Sequence, residues 1–205
     1  MAPKIHLHHG DLPKNLVLGD IVAVDTEAMG LYPHRDRLCL VQLSSGNGEC
    51  HLVKIALGQD EAPQLGKLLE DTSVIKIFHF ARFDVATLWQ NLGIQTVNIY
   101  CTKIASKLGR TFTDRHGLKD LCRDLLGIEI SKHQRLTDWG ADEYTPEQLT
   151  YAATDVLYLH RLKEILDDLL KRENRDELAE FCFDFIPIRA HMDLIGFDGW
   201  DVFEH

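Results

Sequence analysis

A chain of 205 residues, 45% of them hydrophobic and 26% charged, suits one globular domain over 1–205 with enough apolar material for a core. A formal charge of −10 argues against a wide basic face for long nucleic acid, and no apolar run approaches the roughly 18 residues of a membrane span. The five cysteines are odd in number and never spaced as CxxC, which argues against a disulfide framework or a cysteine zinc site and leaves buried free thiols.

The segment from Met1 to His9 is polar and lacks the apolar stretch of a secretion signal, so the expected location is the cytoplasm, with no membrane partner. His6, His8 and His9 are read there as a solvated segment rather than as metal ligands. Ile21-Val22-Ala23-Val24, ending at Asp25, reads as a buried strand. Residues 37–44 alternate apolar and polar like a half-buried strand. Residues 49–55 follow the Gly46-Asn47-Gly48 turn signal, so the two segments predict a hairpin. Residues 63–70 read as helix, 74–80 as strand, 84–92 as a helix stopped by Gly93, and 96–100 as a fifth strand.

Beyond residue 100 the pattern is mostly helical, with a short helix over 117–126. Thr145, Pro146 and Gln148 carry the signature of a capped helix start, and apolar residues from Leu149 to Leu166 continue it at helical spacing to about Arg172. A last helix starts near Arg175 and ends or kinks at Pro187. The order predicts an α/β fold with a mixed five-stranded sheet flanked by helices. Charge is uneven: residues 101–135 hold eight basic against four acidic residues, a local excess of four in an otherwise acidic chain.

Acidic residues carry the chemical argument. Asp25 and Glu27, two apart at a strand end, share one face and send Thr26 to the other. Asp84 follows a neighbouring strand at a helix start. Tyr151 and Asp155, four apart, share a helix face. Each alone is equally what a strand exit, a helix start or a locally bonded aspartate would carry. Together they can converge at one end of the sheet. Four such carboxylates repel one another unless cations are present, and oxygen-only donors favour Mg²⁺ or Mn²⁺. Two divalent ions so held could activate water and stabilise the leaving oxygen of a phosphodiester.

Asp25-Thr26-Glu27, His79-Phe80-Ala81-Arg82-Phe83-Asp84 and Tyr151-Ala152-Ala153-Thr154-Asp155 together resemble the three motifs of the DEDDy exonuclease family, in its ribonuclease D-like branch. Leu40-Val41-Gln42-Leu43, Gly117-Leu118-Lys119-Asp120-Leu121, Lys132-His133-Gln134-Arg135, Asp138-Trp139 and Gln148-Leu149 extend the likeness over roughly residues 15–170. The resemblance implies an RNase H-like fold and 3′-to-5′ hydrolysis of RNA to nucleoside 5′-monophosphates. It implies that Asp25 bridges two ions, that Glu27 and Asp155 complete one site, and that Asp84 supports the other through water. Tyr151 would aim the attacking water.

The chain has no room for the C-terminal RNA-binding domains of ribonuclease D itself, so the compact nanoRNase members, which act on very short RNA, are the better match. Expected partners are short single-stranded RNA or dinucleotides, with DNA as the alternative, and further copies of the chain, as in a ring. Thr26, Met29, Leu31, His79 and Phe80 are the candidate substrate contacts, and Lys103, Lys107 and Arg110 a candidate cap for a 5′ phosphate. Met29, Leu31 and His79 are equally readable as packing residues. Competing readings are tRNA 3′ trimming, DNA editing, or a catalytically silent nucleic-acid-binding module.

Overall fold

A computed structural model describes residues 3–130 and 137–204. Strands β1 (Lys4–His9), β2 (Ile21–Ala28), β3 (Leu38–Ser44), β4 (Glu49–Lys54), β5 (Ile75–Phe78) and β6 (Ile99–Cys101) form one mixed sheet in the order β1-β4-β3-β2-β5-β6. The expected hairpin is present as the antiparallel pair β3/β4, and β2 also runs antiparallel to β3. The pairs β1/β4, β2/β5 and β5/β6 are parallel.

The sheet has six strands, not five. The polar N-terminal segment is itself a strand, pairing with β4 over six residues from Lys4↔Glu49 to His9↔Lys54. An edge strand with one covered face needs no long apolar run, which is why its composition resembles a solvated tail. A second correction concerns β3, which is buried at all seven positions rather than on one face. Helices lie against both of its sides: α2 (Ala81–Leu92) and α5 (Pro146–Leu157) each contact β2 and β3. Thr26 and Asp25 point to opposite faces, Thr26 toward α2 and Asp25 toward α5.

Helix α1 (Pro63–Leu69) precedes β5, and α3 (Thr102–Gly109), which the sequence pattern did not suggest, follows β6 directly. The expected helix over 117–126 is α4 (Leu118–Leu121) running into a π-type turn over Cys122–Leu126. The long helix expected from Thr145 to Arg172 is interrupted at Tyr158, giving α5 and α6 (Leu159–Arg172). The C-terminal segment forms α7 (Asp176–Asp184) and α8 (Ile186–Met192), with Pro187 in the first turn of α8 as its missing N–H allows. No described helix is long and apolar enough to cross a membrane. All five cysteines are free, and four of them are buried. Lys132, His133, Gln134 and Arg135 lie outside the described residues.

Candidate active site

The carboxylate cluster sits at the C-terminal end of β2. Asp25 and Glu27 project from β2 toward α5, whose start is fixed by a complete capping box. The Thr145 hydroxyl accepts from the Gln148 amide at 3.2 Å, and the Gln148 side chain accepts from the Thr145 amide at 2.9 Å. That start sets the rotation of α5, so Tyr151 and Asp155 stand one turn apart on the covered side. Asp25, Glu27 and Asp155 each offer a carboxylate oxygen, all within 4.8 Å of one another. The Tyr151 ring tilts against Trp139, with centroids 6.1 Å apart.

Asp84 reaches the same place from the other side of the sheet. Helix α2 begins at Ala81, three residues before Asp84, and so places that acid in its first turn. Thr26 crosses from β2 and donates its hydroxyl to Asp84 Oδ1 at 2.6 Å, entirely buried. Phe80, immediately before α2, is left-handed at φ 73° and ψ 43°, an uncommon conformation for an aromatic residue. Its phenyl ring is exposed, with Lys103 Nζ 4.0 Å from the ring centroid.

Burial, with Asp84, Asp155 and Glu27 close by, holds the Asp25 carboxyl well above the usual carboxylate range. Burial also pushes Asp84 up to about 7, against the opposing effect of the Thr26 hydrogen bond. An all-oxygen donor set crowded to this degree is costly without countercharge and suits hard divalent cations such as Mg²⁺ or Mn²⁺. Asp25, Glu27 and Asp155 are the residues that could hold such an ion.

The candidate substrate residues divide by placement. Met29 and Leu31 are exposed on the loop after β2, and Met29 lies against Gly140, where an added Cβ would come within 2.7 Å of its sulfur. His79 is partly buried with Nδ1 2.9 Å from Thr102 Oγ1, and burial pushes its pKa down to about 3, so its ring is neutral. Thr26 faces Asp84, which makes it a support for an acid by its side chain. Lys103 and Lys107 line a cavity of about 580 Å³ with Phe80, Arg82, Phe181 and Arg189. Arg110 does not join them. It is 3% exposed, donating to Asp124 Oδ2 at 2.9 Å and to the Arg115 carbonyl at 3.1 Å.

Two residues at the site had little signal in the sequence. Gln42, opposite Asp25 across β2/β3, is fully buried, and neither amide atom has a hydrogen-bond partner among the described residues. In the sequence it stood only within the Leu40-Val41-Gln42-Leu43 segment of the family likeness, with no role of its own. Arg82 is tied through Nη2 to Asp193 Oδ1 at 2.7 Å, joining the start of α2 to the C-terminal segment over 111 positions, a separation that no local pattern reveals.

This sheet, with acids from β2, α2 and α5 at one end, defines a metal-dependent phosphodiester hydrolase. The family described as 3′-5′ exonuclease matches residues 11–171, and the chain belongs to that family, in the group shared by ribonuclease D and NrnC. NrnC of Brucella melitensis with bound Mg²⁺ is 51% identical, with TM-score 0.94 over 98% of this chain and 99% of that one. The same protein bound to pGG superposes with TM-score 0.96 over 99% of each chain. Ribonuclease D of Gluconacetobacter diazotrophicus is 35% identical over 75% of this chain but only 39% of its own length, so the chain spans about two fifths of such relatives. Ribonuclease D of Escherichia coli, 24% identical with TM-score 0.74, shares the fold. The six-stranded RNase H-like architecture and the metal-dependent 3′-5′ exonuclease activity follow.

Proposed function

We propose that this exonuclease hydrolyses very short RNA, dinucleotides in particular, to nucleoside 5′-monophosphates with two divalent ions. The observation that carries the proposal is the cluster of Asp25, Glu27 and Asp155 oxygens within 4.8 Å, with buried Asp84 behind it. Two divalent cations, when bound, make water a stronger nucleophile and neutralise charge on the phosphate. Tyr151, on the same face of α5 as Asp155, would orient the attacking water. Water oxygen bonds to phosphorus and the P–O3′ bond breaks. The 3′ oxygen takes a proton and stays on the shortened strand, and the phosphate leaves on the 5′ carbon of the released nucleotide.

Short-substrate preference rests on three supports. Lys103 and Lys107 stand beside Phe80 at the cavity and suit a 5′ phosphate at the far end of a dinucleotide. The net charge of −10 disfavours long nucleic acid. NrnC of Brucella melitensis, which matches over 99% of both chains, is described as bound to pGG. A second reading, trimming of tRNA 3′ ends, draws on the likeness to ribonuclease D.

Turnover of 5′-phosphorylated RNAs of two to twenty nucleotides, with Mg²⁺ or Mn²⁺ and with chelator, separates the two. Two-mers should be cleaved fastest, with activity lost in chelator. Asp155→Asn should fall below about 1% of the native rate, and Tyr151→Phe should keep the fold while losing roughly a hundredfold in kcat. Equal kcat/KM for two-mers and twenty-mers would leave the longer-RNA reading standing. Further copies of this chain are proposed to cover the apolar C-terminal face, where Phe181, Trp200 and Phe203 are exposed.

A further inference from the structure

The N-terminal strand assembles a second cluster of metal-ligating side chains, away from the catalytic acids. Strands β1 and β4 pair in parallel, with Lys4 opposite Glu49, His6 opposite His51 and His8 opposite Val53. Alternation puts Lys4, His6 and His8 on one face with Glu49 and His51 beside them. His51 pairs onward with Leu43, and Leu43 with Val24. Cross-strand partners share a face, so the cluster lies on the side of Val24 and Thr26, opposite Asp25 and Glu27.

The side chains are already drawn together. His6 Nε2 lies 3.2 Å from Glu49 Oε2, and His8 Nε2 lies 3.0 Å from His51 Nδ1. The rings of His6 and His51 stack at 4.8 Å and 10°, and those of His8 and His51 at 5.3 Å and 6°. His6, Glu49 and His51 each present one donor atom, all within 4.8 Å of one another. His51 is buried and the other two are partly so, which sets this group apart from scattered surface histidines.

We propose that His6, Glu49 and His51 form a second metal site, for a divalent transition ion of the zinc class, that clamps β1 to β4. Two imidazole nitrogens and one carboxylate oxygen suit such an ion, whereas Mg²⁺ prefers oxygen alone. A tetrahedral ion with bonds of about 2.0–2.1 Å needs donors roughly 3.4 Å apart. Small side-chain rotations therefore close the cage and leave a fourth position for water. His8 orients the His51 ring through the contact between their nitrogens. Lys4, 2.9 Å from Glu49 Oε1, would have to swing aside, and a solvent-exposed ion pair opposes that weakly. β1 is the terminal strand of the sheet and pairs with β4 alone, so a cross-strand ion would pin the edge that most readily frays.

The test uses the full chain stripped of metal, then titrated with Co²⁺ under excess Mg²⁺ to occupy the catalytic acids. The native protein should bind one equivalent with visible bands of nitrogen coordination. His51→Ala and Glu49→Gln should each weaken that binding by about tenfold or more. Zn²⁺ should raise the melting temperature of the native protein and of neither variant, and both variants should keep the native Mg²⁺-dependent exonuclease rate. Glu49→Gln preserves side-chain shape, so it reports on the ligand even if His51→Ala disturbs the strand. Absence of visible bands in the native protein, or Co²⁺ binding by Glu49→Gln equal to native, would overturn the site and leave a hydrogen-bonded histidine patch.

Discussion

Thr26 and Asp84 are 58 positions apart, yet one hydroxyl and one carboxylate oxygen meet at 2.6 Å beside the carboxylate cluster. The bond matters because burial pushes Asp84 up to about 7, and this hydroxyl is the largest of the hydrogen bonds that oppose the shift. Between its unperturbed value of 3.8 and about 7, Asp84 holds more protons folded than unfolded. Its contribution to metal-free stability is therefore full below 3.8 and is lost as pH rises through about 7. Divalent ions replace those protons, so the gain in melting temperature on adding Mg²⁺ should be larger at about pH 8 than at about pH 5. Thr26→Val should raise the Asp84 pKa further, lower stability by about 1–3 kcal/mol, and increase the Mg²⁺ concentration for half-maximal rate. Metal titrations of activity and thermal melts check this, and an unchanged Mg²⁺ requirement would refute the supporting role of Thr26. The acids themselves were legible because three motifs fix their order and elements. The Thr26 bond was not, since alternation tells which face a side chain takes and nothing of what waits across it.

At the level of elements, α5 was readable to the residue at its start because Thr145, Pro146 and Gln148 form a local code that needs no tertiary partner. Its end was not, because the apolar spacing from Leu149 to Leu166 runs on past the interruption at Tyr158. The eight-residue α3 and the polar β1 were missed for a related reason: each is stabilised by the surface it lies on, α3 chiefly against α6 and α7, and β1 against β4. The cap on α5 has a functional consequence, since it sets the rotation that carries Tyr151 and Asp155 to β2. Thr145→Ala removes the acceptor for the Gln148 amide and should cost about 1 kcal/mol in denaturant unfolding. The rate should fall by less than for any acid substitution, because the packed face of α5, with Ala152, Ala153 and Val156 buried, still holds the helix in place. A loss of activity as deep as that of Asp155→Asn would mean that the cap does more than start a helix.

For the whole molecule, the apolar C-terminal face and the cavity proposed to take a 5′ phosphate share residues. Phe181, Phe185 and Phe203 line the same cavity of about 580 Å³ as Phe80, Lys103 and Lys107. Phe181 is 64% exposed and Phe203 73%, a poor way to leave large aromatics in water. A second copy laid over this face would bury them and narrow the cavity mouth, so assembly and selection of short substrates would depend on the same contact. Each chain carries −10, so copies repel, and added salt should strengthen association by screening that repulsion. Salt should act in the opposite direction on any nucleic acid held by Lys103 and Lys107. Sedimentation of the native chain across ionic strength should show a concentration-dependent assembly that tightens with salt. Phe181→Glu should shift it to smaller species, and its KM for a 5′-phosphorylated two-mer should rise more than its kcat falls, because Asp25, Glu27, Asp84 and Asp155 are untouched. A native chain that sediments as a monomer at all salt concentrations, with full two-mer activity, would show that the aromatic face serves the cavity alone.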